Sequence, residues 1–279
     1  MNYRHAFHAG NFADVFKHAL LTRILLYLNR KDAHYRVIDT HAGEGAYDLS
    51  RDEAARTGEW REGIGRLATL PQNSDAGRLL RPWLDIVGAC DVEGRPFLYP
   101  GSPLIAQKLA RKGDRLVFCE KHPDAFAALK ARVARDRRVK ALKLDGWTAL
   151  DAFVPPPERR GLVLVDPPFE AKDEFSTMAR SFAAAFVKWS TGTYALWYPV
   201  KDTAAAQDLW TAIRASGAKS ALRLELAVAS TAGLTRTGLI VVNPPFVLEG
   251  EARTLLPELA RLLERAPGAG AAVIDSFGG

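Results

Sequence analysis

The stretch 161-GLVLVDPPFE-170 carries an apolar run that stops on a carboxylate and then commits two successive residues to proline. Leu162, Val163, Leu164 and Val165 form the unbroken apolar run expected of a strand covered on both faces. Asp166 therefore stands at a strand's carboxyl end. Pro167 and Pro168 stiffen the turn that follows, and Phe169 comes next. A near-copy, 239-LIVVNPPF-246, has Asn243 in place of Asp166. The fold around the two strings decides which of them does chemistry.

Working outward, strand-like and helix-like runs alternate. Residues 35–45 (YRVIDTHAGEG) read as a strand entering a glycine loop, 115–123 as a strand ending on Glu120, and 139–147 as a short strand ending on Asp145. Residues 124–136 have helical spacing, with Asp124 as a possible N-cap. Strand 193–200 and helix 204–217 follow the Asp166 string. Runs 221–230 and 237–245 lie too close together for a helical crossover, so they are expected to pair antiparallel as a hairpin at the sheet edge. This order predicts an α/β fold: a mostly parallel, seven-stranded, doubly wound sheet with helices on both faces. Residues 52–100 break the rhythm with helix-like segments around the polar turn 71–77, and are expected to be a helical insertion into a domain formed by 1–51 and 101–279. Beyond Pro267 the chain reads as an Ala/Gly-rich tail.

The bulk numbers suit one large domain with an insertion. The chain has 279 residues, 48% of them hydrophobic, and 38 Lys and Arg against 32 Asp and Glu give a net charge of +6. That excess permits a nucleic-acid partner without requiring one. Cys90 and Cys119 are isolated, too few for a disulfide framework or a zinc site. Charged residues at 4, 14, 17 and 23 interrupt any secretory core, and no apolar run is long enough for a membrane span. A reducing, cytoplasmic location is expected.

Ligands of doubly wound sheets bind outside the carboxyl ends of the strands, and the loops there form a series. Asp39-Thr-His41-Ala-Gly43-Glu-Gly45 lets the backbone approach a ligand closely. Glu120 stands where an acid commonly binds ribose hydroxyls. Asp145-Gly146 and Asp166-Pro-Pro-Phe169 complete the set. Each alone also reads as a helix cap or a stiff turn; in order they point to one site. Position 48 is Asp, so the full G-x-G-x-x-G of a pyrophosphate site is absent. An acid-rich pocket suits a cofactor without phosphates, and S-adenosylmethionine, with two ribose hydroxyls and positive charge at sulfur and amine, fits that description.

Asp-Pro-Pro-Phe suits methyl transfer to the exocyclic amine of a nucleobase. That nitrogen is planar and a poor nucleophile because its lone pair is delocalised into the ring. The Asp166 carboxylate accepting one N–H and the Pro167 carbonyl accepting the other favour a pyramidal nitrogen, and negative charge stabilises the cation that develops during attack. Phe169 offers a face for stacking, worth roughly 1–3 kcal/mol. Asn243 could accept an N–H as well, but it closes the hairpin rather than the parallel series, which favours Asp166.

Five of the six histidines fall within the first 41 residues. No paired acidic ligands follow at metal spacing, and no metal is expected. Asn11 or Asp14 starts an amphipathic helix through Leu28, with Val15, Ala19, Leu20, Ile24 and Leu28 inward and Lys17 and His18 toward the cofactor pocket. Ser102 before Pro103 reads as an N-cap whose hydroxyl and free amides could meet a carboxylate. Arg56, Arg61, Arg66, Arg78 and Arg81 in the insertion are candidates for phosphate contact, or a solvated helix face.

The blocks YRHAFHAGNFADVFKH (3–18), DTHAG (39–43), RTGE (56–59), YPGSP (99–103) and ALWYP (195–199) together resemble one family. It is the bacterial large-subunit ribosomal RNA adenine-N6 methyltransferases, class I S-adenosylmethionine-dependent enzymes that modify naked 23S RNA. The likeness runs nearly the whole chain. It implies a Rossmann-like fold with a small helical subdomain after the first βα unit and Asp166 as the catalytic acid. It implies a cofactor site lined by His18, His41, Ser102, Glu120, Asp145 and Gly146, with Lys17 beside the cofactor and Tyr3 as a substrate contact. Free 23S RNA is the implied partner, and a monomer is expected. The family more often shows Tyr after the two prolines; Phe169 keeps the stacking face and loses the phenol hydroxyl. A DNA adenine methyltransferase, a non-catalytic RNA-binding protein on the same fold and a nicotinamide oxidoreductase remain as alternatives from the residues alone.

Overall fold

The computed structural model describes residues 4–88, 98–229 and 233–278; Tyr3 and Cys90 lie outside them. The strands are β1 (Arg36–Asp39), β2 (Ala46–Asp48), β3 (Leu98–Pro100), β4 (Arg115–Glu120), β5 (Val139–Lys143), β6 (Gly161–Val165), β7 (Thr193–Pro199), β8 (Ala221–Ala227), β9 (Arg236–Val242) and β10 (Ala271–Phe277). The helices are α1 (Phe12–Leu28), α2 (Asp52–Thr57), α3 (Asp75–Gly88), α4 (Ser102–Leu109), α5 (Pro123–Val133), α6 (Gly146–Ala152), α7 (Glu174–Lys188), α8 (Thr203–Ala215) and α9 (Leu248–Leu263).

Eight strands form the main sheet, in the order β10-β8-β9-β7-β6-β1-β4-β5. β7, β6, β1, β4 and β5 run parallel, and β9 pairs antiparallel with both β7 and β8. The sheet thus has one strand more than the expected seven. The stretch expected to be a tail supplies it: β10 pairs antiparallel with β8, so the hairpin is covered on its outer side rather than forming the edge. The alternation Val273, Asp275, Phe277 against Ile274, Ser276 is a weak strand signal that the flanking Ala and Gly mask. β6 lies directly against β1, with Leu164 opposite Asp39, so Asp166 ends two residues beyond the first strand's carboxylate.

Two buried clusters sandwich the sheet, one under α1, α3, α4 and α9, the other under α6, α7 and α8. α1 starts at Asn11, whose side chain accepts from Ala13 N and Asp14 N at 3.0 Å each. It is not amphipathic as expected. It is buried nearly all round, because α3, α4 and α9 pack on it from outside. Between β2 and β3 lie α2, the 3-10 segments Glu59–Glu62 and Ile64–Thr69, and α3. The helix-like segment expected before the polar turn 71–77 ends as an α-helix at Gly58, with φ 61°, and continues as 3-10 segments on either side of Gly63, where a Cβ would stand 2.0 Å from Gly10 O. β2 and β3, which sequence reading missed, pair antiparallel at the base of this segment.

Candidate active site

The carboxyl ends of the parallel strands open on a cavity of about 1030 Å³, roofed by the N-terminal residues His5, His8 and Asn11. Lys17, His18, His41, Gly43, Ser102, Glu120, Asp145, Gly146, Asp166, Pro167 and Phe169 all line it. Of the expected site residues only Tyr3 lies outside the described chain.

Glu120, 7% exposed, is fixed at the end of β4 by two backbone amides. Gly43 N donates to its Oε2 at 2.8 Å and His122 N to its Oε1 at 2.7 Å. Each oxygen keeps a second lone pair, which is the arrangement that accepts two neighbouring hydroxyls. Gly43 has φ 59°, and a Cβ there would stand 2.1 Å from the Tyr47 hydroxyl, so only glycine fits. Asp145 does two jobs. Its Oδ1 caps α6 by accepting from Trp147 N at 3.0 Å, and its Oδ2 accepts from Lys121 Nζ at 3.0 Å. His122, not Asp124, occupies the N-cap position of α5.

Behind the loop sits Asp39, 1% exposed. Ser102 Oγ donates to its Oδ2 at 2.6 Å and His41 N to its Oδ1 at 3.2 Å. Burial pushes the Asp39 carboxyl up to about 7. The expected capping role of Ser102 does not hold: Gly101 is the N-cap of α4 and Ser102 is its first residue, its hydroxyl already committed to Asp39. The Thr40 hydroxyl donates to Leu164 O at 3.0 Å and lies 2.8 Å from His41 Nδ1. Having spent its proton, it accepts from Nδ1–H, which leaves His41 Nε2 a bare acceptor. Burial holds His41 neutral, at about 4.

Asp14 is a hub that sequence reading weighed only as a helix start. It is 1% exposed. Its Oδ2 accepts from Gly10 N at 2.9 Å and from His5 Nε2 at 2.9 Å, and its Oδ1 pairs with Lys17 Nζ at 3.0 Å. Burial opposes its charge, but His5 and Lys17 outweigh it and hold the carboxyl well below the usual range. The clue was its spacing, three and four residues before Lys17 and His18 on one helix face. His18 points its Nδ1 at Tyr99 OH at 2.8 Å, and burial keeps the ring neutral, at about 3.

Lys17, 4% exposed, joins this hub to Asp166. Its ammonium pairs with Asp166 Oδ2 as well as with Asp14. Burial works against the ammonium, yet the two carboxylates raise its pKa above the ordinary lysine value. Asp166 keeps 16% side-chain exposure, and among the described residues its Oδ1 has no hydrogen-bond partner. No donor among them reaches the Pro167 carbonyl either. Two acceptors just beyond β6, on residues that line the cavity, are therefore unpaired among the described residues.

Phe169 adopts φ 51°, a left-handed conformation costing about 1–2 kcal/mol for a side chain of this kind. Its ring is not bare. It packs against Phe175 at 4.9 Å and edge-on to Trp197 at 5.8 Å, and the Lys17 ammonium lies 5.6 Å from the Trp197 ring centre. Trp197, on the strand next to β6, is a lining residue that the strand-end series could have flagged. The second string behaves differently. Asn243 Nδ2 donates to Ser190 O at 2.9 Å and Gly192 O at 2.7 Å, clamping a turn at the opposite end of the sheet, and Phe246 is exposed.

A doubly wound sheet, a buried acid at the end of β4 and an Asp-Pro-Pro-aromatic turn in one cavity at the carboxyl ends of its parallel strands are the build of a class I S-adenosylmethionine-dependent methyltransferase. Residues 32–274 match the family model described as "RsmJ: Ribosomal RNA large subunit methyltransferase D, RlmJ". The chain is 40% identical over 262 residues to "Ribosomal RNA large subunit methyltransferase J" of Escherichia coli strain K12, covering 93% of this chain and 92% of that protein. It is 38% identical to the protein of the same name from Haemophilus influenzae, covering 94% of each. A crystal structure from Legionella pneumophila superposes with a TM-score of 0.88 at 34% identity, over 97% of this chain and 98% of that one. The chain belongs to the RlmJ family of ribosomal RNA large subunit methyltransferases.

Proposed function

We propose that this chain transfers the methyl group of S-adenosylmethionine to the exocyclic N6 of an adenine in 23S ribosomal RNA, with Asp166 as the catalytic acid residue. The observation that carries the reading is the unpaired Asp166 Oδ1, in the same cavity as Gly43, Glu120 and Asp145 and steadied by Lys17 through its other oxygen.

The donor set fits the cofactor: Glu120 for the ribose, carboxylates around a cationic ligand, and backbone approach at Gly43 and Gly146. Bound there, S-adenosylmethionine supplies an electrophilic methyl group. Asp166 Oδ1 accepts one N6–H of the adenine and the Pro167 carbonyl the other, which turns the nitrogen lone pair out of the ring plane. Phe169 stacks on the base, its ring held at one angle by Phe175 and Trp197. The transfer would exchange a sulfur–carbon bond for the new nitrogen–carbon bond, and water would take the proton that N6 gives up. The carboxylate stabilises the charge that develops on N6. The adenine must leave its stack to enter, which favours unpaired or exposed bases.

Free 23S RNA rather than the assembled subunit suits a cavity that must enclose a whole base. In this reading residues 52–100 are an inserted helical subdomain, of which α3 packs on α1 and α9, the enzyme is a monomer and it works in the reducing cytoplasm. Cys119 is a buried thiol that burial pushes up to about 12, and no described helix is long and apolar enough to cross a membrane. Purified protein offered protein-free 23S RNA, DNA of the same sequence and assembled large subunits, with tritium-labelled donor, tests the assignment. The free RNA is expected to be labelled best; labelling of the DNA alone would overturn the substrate class.

A further inference from the structure

We propose that the groove between α4 and α5, on the flank of the sheet beside β4, binds the phosphodiester backbone of the RNA that flanks the target adenine. This rests on the RNA-methyltransferase reading above and adds a contact surface to it. The groove, of about 630 Å³, is lined by Lys112, Arg115, Arg132, Arg135, Arg137 and Arg138, with Asp136 as its single acid. Six of the chain's 38 cations and one of its 32 carboxylates stand there, so the groove carries a formal +5 of the chain's +6. The rest of the molecule is close to neutral.

The cations come from separate elements and converge. Lys112 precedes β4, Arg115 opens it, Arg132 lies in the last turn of α5, and Arg135 and Arg137 follow that helix. Arg138 is the groove's fixed floor, donating to Asp136 Oδ2 at 2.7 Å and to Gln107 O at 2.9 Å and so tying α5 to α4. Lys112, Arg115, Arg132, Arg135 and Arg137 have no carboxylate within 4.0 Å among the described residues. Lysines on an edge strand often serve only to deter edge-to-edge pairing, and Lys140 and Lys143 on β5 answer to that description. The groove residues lie off that strand. Unpaired like charges gathered in one concavity repel one another, and a polyanion relieves the repulsion.

The groove opens at the amino ends of β4 and β5, and Arg132 at its rim reaches toward the cavity at their carboxyl ends. Arg132 donates from Nε to Glu44 O and from Nη2 to Ala46 O, both at 3.3 Å, and Glu44 lines the catalytic cavity. An RNA backbone leaving the cavity past the glycine loop meets Arg132 first and the other cations beyond it. Of the five insertion arginines expected from the sequence to touch phosphates, Arg66, Arg78 and Arg81 pair with Glu62, Asp75 and Asp85; Arg61 lies over the Trp60 ring, and it and Arg56 have no carboxylate within 4.0 Å among the described residues, but they stand apart from one another rather than converging in a groove.

The test uses full-length enzyme, protein-free 23S RNA and a short hairpin cut around the methylated adenine. The double variant Arg135→Glu/Arg137→Glu changes two exposed side chains and is expected to raise KM for 23S RNA roughly tenfold, with kcat and hairpin KM within twofold of the parent. The slope of log affinity against log salt is expected to fall by about 2, one for each phosphate that the variant no longer neutralises. Arg78→Glu, which removes a paired surface charge, is expected to change neither. An unchanged KM and salt slope for 23S RNA would overturn the proposal, as would equal losses on both RNAs. Failure of the enzyme reading shows separately: the parent would bind RNA without methylating it, and direct binding would still report on the groove.

Discussion

Replacing Asp166 by asparagine keeps the side chain's shape and removes its charge. The Lys17 ammonium, still paired with Asp14, takes the remaining oxygen as its acceptor. The amide nitrogen then faces the cavity, presenting a donor to the donor N6–H. The carboxylate is 16% exposed, which argues for an effective dielectric near 20 rather than that of a dry interior. At about 3 Å, a full charge pair is then worth about 5 kcal/mol, and the half charge of a mid-point transition state about 3 kcal/mol. Loss of alignment adds to this, so the methyl-transfer step is expected to slow by roughly 10²–10³-fold. The assay is single-turnover transfer from tritiated donor to protein-free 23S RNA at saturating enzyme, with cofactor affinity by calorimetry staying within about threefold. A transfer rate within threefold of the parent would refute the reasoning, because among the described residues no other unpaired carboxylate stands at the end of β6.

Three further outcomes follow from the same structure. Asn243→Ala loses two hydrogen bonds to Ser190 O and Gly192 O and places alanine at φ 51°, so thermal unfolding should show a loss of about 2–3 kcal/mol with kcat unchanged; a collapse in turnover of folded protein would show that the second string is chemical after all. In Gly146→Ala a Cβ would meet the His41 ring at 2.4 Å, so calorimetry should find cofactor affinity at least roughly tenfold weaker, and unaltered affinity would remove Gly146 from the site. Asp39 has a folded pKa of about 7 against an ordinary 3.8, so the folded state holds its proton longer than the unfolded chain does. Its ionisation costs nothing below about pH 4, costs progressively more up to about pH 7, and is constant above that, to a limit of about 4 kcal/mol; Asp39→Asn should gain stability over the parent across that window, and a parallel pair of denaturation curves from pH 4 to 8 would contradict it.

The parallel strands and the loops after them were legible because each ends on a chemically conspicuous residue: Asp39, Glu120, Asp145, Asp166. Across the sheet they run Asp166, Asp39, Glu120, Asp145, because the last strand of the series, β6, returns to lie against β1. Asp166 and Asn243 looked alike as strings and differed only in the strand they close, which the alternation of elements could rank. Burial was the hidden variable. Nothing in the spacing showed that α1 would be enclosed on all sides, so Asp14 read as a helix start and not as the carboxylate that fixes Lys17. Ser102 read as a cap because its hydroxyl's partner, Asp39, is 63 residues away in sequence. β10 was hidden by Ala and Gly flanks, and the broken helix of the insertion by a close approach of Gly63 to Gly10 O. The basic groove was written in the chain between 132 and 138, but only the crossover through α5 brings those residues beside Lys112 and Arg115.

Mass spectrometry of digested ribosomal RNA from cells with and without this gene tests the central claim most directly. The account predicts that one N6-methyladenine of 23S RNA disappears with the gene and returns with the parent protein but not with Asp166→Asn. Identical adenine methylation in the two RNAs, or its return with the Asp166→Asn protein, would contradict it.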